Sequence, residues 1–148
     1  SKIPEDSWIL ELEDIEKDSG RLLQRKTKSD RNINGVRHSF KKGDVLYSKL
    51  RTYLNKVLVA DQDGYCTTEI IPITCVPGIV PEYLCHVLRS RYYVDYTISL
   101  GYGVKMPRLG TADALKSMIP VPPYEEQRRI VKSVNEIYHK LEQISSEL

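Results

Sequence analysis

The C-terminal run from Pro120 to Leu148 constrains the fold more than any other stretch of this sequence. Prolines at 120, 122 and 123 keep the chain extended, because each lacks a backbone donor and biases its predecessor away from helix. Pro123 then suits the first helical position, and Glu125 and Glu126 place negative charge at the positive helix end. Beyond them apolar residues recur at Ile130, Val134, Ile137, Leu141, Ile144 and Leu148, in alternating steps of four and three that make heptad spacing. At about 1.5 Å per residue such a helix is roughly 35–40 Å long. Its single narrow seam predicts pairing with a second helix. The expected organisation is a domain over residues 1–120 and a spacer and dimerisation helix over 121–148.

The 148 residues, 41% of them hydrophobic, suffice for one domain with a core. No run reaches the roughly 20 apolar residues of a membrane span, and no signal peptide is visible. Cys66, Cys75 and Cys85 are odd in number and form no Cys-x-x-Cys pair, so they predict buried free thiols in a reducing cytosol. His38, His86 and His139 are too scattered for a metal site. The net charge of +2 conceals an asymmetry: residues 1–20 carry two lysines against seven acids, whereas residues 21–56 carry eleven Lys or Arg against Asp30 and Asp44. A basic segment inside a nearly neutral chain predicts a surface facing a polyanion. The alternative is a solvated face of loosely distributed lysines.

Near-alternation predicts a strand over Trp8–Ile15, a turn at Asp18–Gly20 and a second strand over Arg21–Lys28, ahead of a polar loop at 29–35. The turn Lys41–Asp44 leads into a strand from Val45, and another strand covers Lys56–Ala60. Tyr65–Thr68 and Glu69–Cys75 read as a hairpin or consecutive strands, with Pro72 placing the latter at an edge or on a bulge. A helix begins at Pro81, keeps Leu84, Val87 and Leu88 on one face and continues towards Ile98. Residues 99–110 are too rich in Gly and Pro for regular structure, Thr111 caps one helical turn, and 117–121 return to the sheet. The fold class is therefore α+β: a compact mixed domain with a small, mainly antiparallel sheet and a projecting C-terminal coiled-coil helix.

Two catalytic readings fail on chemistry. Val121-Pro-Pro-Tyr124 resembles the Asp/Asn/Ser-Pro-Pro-Tyr element of amino-methyltransferases, but valine cannot accept the hydrogen bond of an exocyclic amine. No Gly-rich strand–helix turn suited to a methyl-donor cofactor is present either. Gly101-Tyr-Gly103 with Gly110 follows a helix and lacks Gly-Lys-Ser/Thr, so it is no phosphate loop.

Four stretches together carry a family resemblance: Gly43-Asp-Val-Leu-Tyr-Ser-Lys-Leu-Arg51, Gly64-Tyr-Cys-Thr-Thr-Glu69, Tyr102-Gly-Val-Lys-Met-Pro-Arg108 and Ile119-Pro-Val-Pro-Pro-Tyr-Glu-Glu-Gln-Arg-Arg-Ile130. The chain resembles the specificity (S) subunit of type I restriction–modification systems, over one target-recognition domain and its conserved helix. Its most specific element is Pro-Pro-x-x-Glu-Gln-x-x-Ile opening a long helix. A full S subunit resembles two such units in tandem, so this chain matches half of one, either a natural half-subunit or a piece ending at Leu148.

The resemblance implies a non-catalytic, sequence-specific reader of one half of a split site on double-stranded DNA, in a prokaryotic cytoplasm. Its partners would be a methyltransferase (M) subunit, which brings S-adenosylmethionine, and a restriction (R) subunit that hydrolyses ATP with Mg; the chain itself would hold no cofactor or metal. Helix pairing, with a second S half or in a homodimer, would space the two half-sites. The rival reading is an oligomerisation or adaptor module whose basic segment is incidental.

Candidate DNA contacts follow from side-chain chemistry and position. Lys49 and Arg51 end a strand in the basic segment, with Tyr53, Asn55 and Lys56 close behind. Arg and Lys can pair with guanine or phosphate, and Asn with adenine. Tyr102, Lys105 and Arg108 stand in a Gly-rich loop that permits close backbone approach. Thr67, Thr68 and Glu69 form a third polar cluster, in which Glu69 can accept from cytosine N4. In the structural alternatives Glu69 pairs with Arg51 or Arg108, Lys56 is a solvated strand end and Tyr53 belongs to the core.

Overall fold

The structure, a computed structural model, describes residues 2–100 and 107–148. In chain order the elements are β1 (Trp8–Leu10), β2 (Lys26–Thr27), β3 (Arg37–Phe40), β4 (Val45–Ser48), β5 (Val57–Val59), β6 (Gly64–Thr67), β7 (Ile70–Ile73), α1 (Pro81–Arg89), α2 (Arg91–Ser99), α3 (Thr111–Lys116) and α4 (Tyr124–Glu147). The strands form two sheets. One has the order β2-β1-β6-β3, with β1 and β6 parallel; the other, β5-β4-β7, is antiparallel throughout.

All four residues of β4 are buried, which period-two alternation explains once both faces are covered. Leu46 points into a core with Trp8, Leu10, Ile15, Phe40, Cys66 and Ile70, between the sheets. Val45 and Tyr47 point the other way, into a core with Val57, Cys85, Leu88, Tyr93 and Leu109, beneath the helices. Trp8 meets Phe40 edge-on with ring centroids 5.2 Å apart, and the Arg25 guanidinium caps the indole at 4.0 Å. Gly64 makes this packing possible: a Cβ there would lie 2.7 Å from Phe40 Cζ and 2.8 Å from the Trp8 carbonyl oxygen.

The fold class stands, with the expected small sheet divided in two. The first strand is shorter than expected, because Glu11 leads into a 3-10 turn over Leu12–Asp14. Of the second expected strand only Lys26 and Thr27 pair as β2, while Leu22 makes an isolated bridge with Ile15. β3 was not foreseen, since of its four residues only Phe40 is buried and no alternation marks it. β6 and β7 are consecutive but join different sheets, and β7 lies at an edge, where the missing Pro72 donor is tolerated.

The expected helix from Pro81 towards Ile98 breaks at Ser90, whose hydroxyl accepts from the Tyr93 N–H and caps α2. The most buried residues of α1 are Tyr83, Cys85 and Leu88, because it is covered by the sheet on one side and by α4 on another. Gly110, not Thr111, is the N-cap of α3, and residues 117–121 do not rejoin a sheet. Pro123 is the N-cap of α4 rather than its first helical residue. The 24 residues of α4 span about 36 Å.

Gln127 fastens α4 to the domain. It is fully buried; its Oε1 accepts from the Val80 N–H at 2.8 Å, and its Nε2 donates to the carbonyls of Gly78 and Pro122, each at 2.9 Å. The Tyr83 hydroxyl adds a 2.7 Å bond to the Pro120 carbonyl. One turn further on, His86 stands 3.3 Å from Asn135 Oδ1 and stacks obliquely on Tyr138. Burial, with Arg89 beside it, holds His86 below its ordinary pKa.

Candidate nucleic-acid interface

Three segments distant in sequence are stitched together along one edge of the domain. The Lys49 N–H donates to the Glu69 carbonyl at 3.0 Å, the Leu109 N–H to the Lys49 carbonyl at 2.7 Å, and the Arg51 N–H to the Pro107 carbonyl at 2.6 Å. These bonds extend the β4–β7 pairing past its formal end and add residues 107–109 as a further line. Leu109 is buried in the helix-side core, so its neighbour Arg108 is turned out to solvent. Arg51 is exposed on a left-handed residue with φ 51°, where the strand ends abruptly and a 3-10 turn over Thr52–Leu54 begins.

The edge thus gathers Lys49, Arg51, Glu69 and Arg108, while Thr67 ends β6 opposite Arg37 in the other sheet and leads through Thr68 to Glu69. Arg108 and Glu69 form a bidentate pair, Nε to Oε2 at 2.9 Å and Nη2 to Oε1 at 2.7 Å. Lys49 and Arg51 make no ion pair among the described residues. Other candidates are engaged elsewhere. Lys56 Nζ donates to the Leu12 carbonyl at 2.8 Å, and Asn55 Nδ2 to the Arg89 carbonyl at 2.9 Å, so both hold the fold together. Tyr53 is half-exposed rather than in the core, and with Asn55 it lines a separate cleft beside Asp18, Arg89 and Asp95. Tyr102 and Lys105 lie outside the described residues.

The basic segment is largely answered from within the chain. Arg21 pairs with Glu16, Arg25 with Asp61, Lys28 with Glu5, Arg31 with Glu13 and Asp14, Arg37 with Glu11, and Lys41 with Asp63. Four of these six cations, Arg21, Lys28, Arg31 and Arg37, take their partners from residues 5–16, the acidic start of the chain. Hydrogen bonds from Lys28, from Ser19 and from the Lys42 N–H hold Glu5, Glu16 and Asp63, respectively, below the ordinary carboxylate range. The opposite charges of residues 1–20 and 21–56 were the available signal for this pairing. Among the described residues, Lys26, Lys42, Lys49, Arg51 and Lys56 of the basic segment make no ion pair, and Lys49 and Arg51 stand on the stitched edge.

The pairing seam of α4 divides in two. Ile130 and Val134 are half-buried on the stretch that follows α1, while Ile137, Leu141 and Ile144 are exposed by 57%, 54% and 56%, and Leu148 fully. The cysteines are unpaired, and burial raises the Cys66 thiol to about 12 and the Cys85 thiol to about 11. No described helix is long and apolar enough to cross a membrane.

No family model matches the chain. It is 27% identical over 124 residues, 84% of its length, to the type I restriction enzyme EcoDI specificity subunit of Escherichia coli. The likeness is to type I specificity subunits. Among solved structures, the HsdS subunit from Thermoanaerobacter tengcongensis superposes over 95% of the chain with a TM-score of 0.80 at 23% identity. A chain from a study of complex assembly and conformational transition in the type I R-M system matches the same share with a TM-score of 0.81 at 24% identity. The chain spans only part of these proteins, 28% of the EcoDI subunit and 37% of each solved chain. The shared fold includes both the two-sheet head and the long helix, as the 95% coverage requires.

Proposed function

We propose that this chain is a non-catalytic DNA-reading unit of a type I restriction–modification complex, recognising one half of a split duplex site. The observation that carries this reading is the convergence of Lys49, Arg51, Glu69 and Arg108 on one edge, where Lys49 and Arg51 have no ion-pair partner among the described residues and can meet phosphate. The specificity-subunit relative supports it. S-adenosylmethionine, and ATP with Mg, then belong to methyltransferase and restriction partners, and the stretch from Pro120 through the start of α4 is the docking surface for the methyltransferase. The exposed part of α4 pairs with a second helix, and its length matches the roughly 34–36 Å between adjacent half-sites on one DNA face. Two copies of this chain would present identical heads and so favour a palindromic site.

Duplex binding measured across a salt series tests the reading. Affinity is expected to fall steeply with salt, and Lys49→Ala and Arg51→Ala are each expected to reduce the slope of log K against log salt by about one. Binding independent of salt would exclude phosphate recognition. It would favour the adaptor reading, which the six internally paired cations of the basic segment support. Leu141→Glu is expected to convert a self-associating chain to monomer in sedimentation, by placing charge in the seam. A wild-type chain strictly monomeric at high concentration and on DNA would remove the half-subunit version.

A further inference from the structure

We propose that Glu69 is a positioning residue that holds Arg108 to read a guanine, so that the half-site contains a G·C pair at the position facing this residue. The inference rests on the DNA-reading function proposed above. Glu69 engages the Nε and Nη2 of Arg108, which is the side edge of the guanidinium. The end edge, with one N–H on Nη1 and the second N–H of Nη2, makes no hydrogen bond among the described residues. Those two parallel donors match guanine O6 and N7.

The backbones behind the pair are fixed on both sides. Glu69 is anchored through its carbonyl to the Lys49 N–H, and Arg108 lies between Pro107 and Leu109, each bonded to the 49–51 segment. The Arg108 side chain is half-exposed, at 51%, while its carboxylate partner is more covered, at 25%, so the guanidinium lies on the solvent side of the pair. A guanidinium held in this way has surrendered much of its rotamer freedom before any ligand arrives.

Charge separates this role from a phosphate contact. Arg108 and Glu69 together are neutral, and a carboxylate beside the guanidinium repels a phosphate placed there. Lys49 and Arg51, without an ion-pair partner among the described residues on the same edge, supply the counterion-releasing contacts instead. The edge therefore divides into two cations that attract the backbone and one neutral fork that reads a base.

Selection from random duplexes tests the assignment, with the wild-type chain and its Arg108→Ala, Glu69→Gln and Glu69→Ala variants, each in the presence of its methyltransferase subunit. The wild type is expected to enrich a motif with a guanine that Arg108→Ala leaves random, every other position being retained. On the selected site Arg108→Ala should bind roughly tenfold or more weaker, with its salt slope unchanged. Glu69→Ala should lower the guanine preference, and Glu69→Gln, which still accepts a hydrogen bond, should restore part of it. An unchanged motif in Arg108→Ala overturns the assignment. So does an equal loss on all sequences with a reduced salt slope, which would make Arg108 a phosphate contact. A wild-type chain that enriches no motif at all overturns instead the DNA-reading function on which the inference stands.

Discussion

Replacing Asp14 with alanine is expected to lower the unfolding free energy by about 3–5 kcal/mol, as breaking a buried ion pair does elsewhere. Asp14 is fully buried and answers four groups at once. Its Oδ2 accepts from the Glu11 N–H at 2.8 Å, its Oδ1 from Gln24 Nε2 at 2.7 Å and from Arg31 Nη2, and its carbonyl from the Leu23 N–H. Arg31 is itself 11% exposed and would keep only the exposed Glu13 as counter-charge. Asp14→Asn retains two of the acceptor contacts but not the charge, so its loss should be intermediate. Urea unfolding of both variants checks the order. Equal stability of wild type and Asp14→Ala would show that the 20–31 loop relaxes and takes water in place of the carboxylate.

Gln127→Ala should cost about 3 kcal/mol, because the Val80 N–H and the Gly78 and Pro122 carbonyls are unpaired together, each worth about 1–3 kcal/mol when left buried. Water entering the space reduces that sum. Gln127→Glu should be no milder, since a carboxylate keeps the bond from Val80 but faces two carbonyls without a donor. The functional consequence exceeds the loss of stability. Gln127 ties the start of α4 to the loop that begins α1, and so sets the angle at which the helix leaves the head. The proposed spacing of two half-sites depends on that angle. Thermal and urea unfolding measure the first effect, and the selected half-site spacing measures the second. A variant of wild-type stability would show that the helix is held by its other contacts with α1, the Tyr83–Pro120 and His86–Asn135 bonds among them.

The helix α4 was legible because its signals are local: proline punctuation, acids in the first turn and heptad spacing all lie within one stretch. The strand from Val45 and the edge position of β7 were legible for the same reason, from a continuous apolar run and from Pro72. β3 was not, because Arg37, His38 and Ser39 present no apolar period and are held by pairing with Gly64–Thr67 on a strand far along the chain. The break at Ser90 was hidden by good helical periodicity on both sides of it. Ser90 is a capping residue, but nothing nearby shows that the chain must turn there.

Of the candidate site, residue chemistry and position along the chain point to Lys49, Arg51, Glu69 and Arg108, but they make Asn55 and Lys56 their equals. Only the fold separates them, by giving Lys56 the Leu12 carbonyl and Asn55 the Arg89 carbonyl as partners. It also draws six of the eleven cations of the basic segment out of an open cationic face and into internal ion pairs, four of the six with the acidic start of the chain. Such partners are set by contacts between residues tens of positions apart, and no local pattern encodes those. The sequence by itself determined the long helix, its exposed seam and the chemistry available beside it. Tertiary structure decided which charges stay free, which polar side chains build the frame, and that Glu69 and Arg108 face one another across 39 positions of chain.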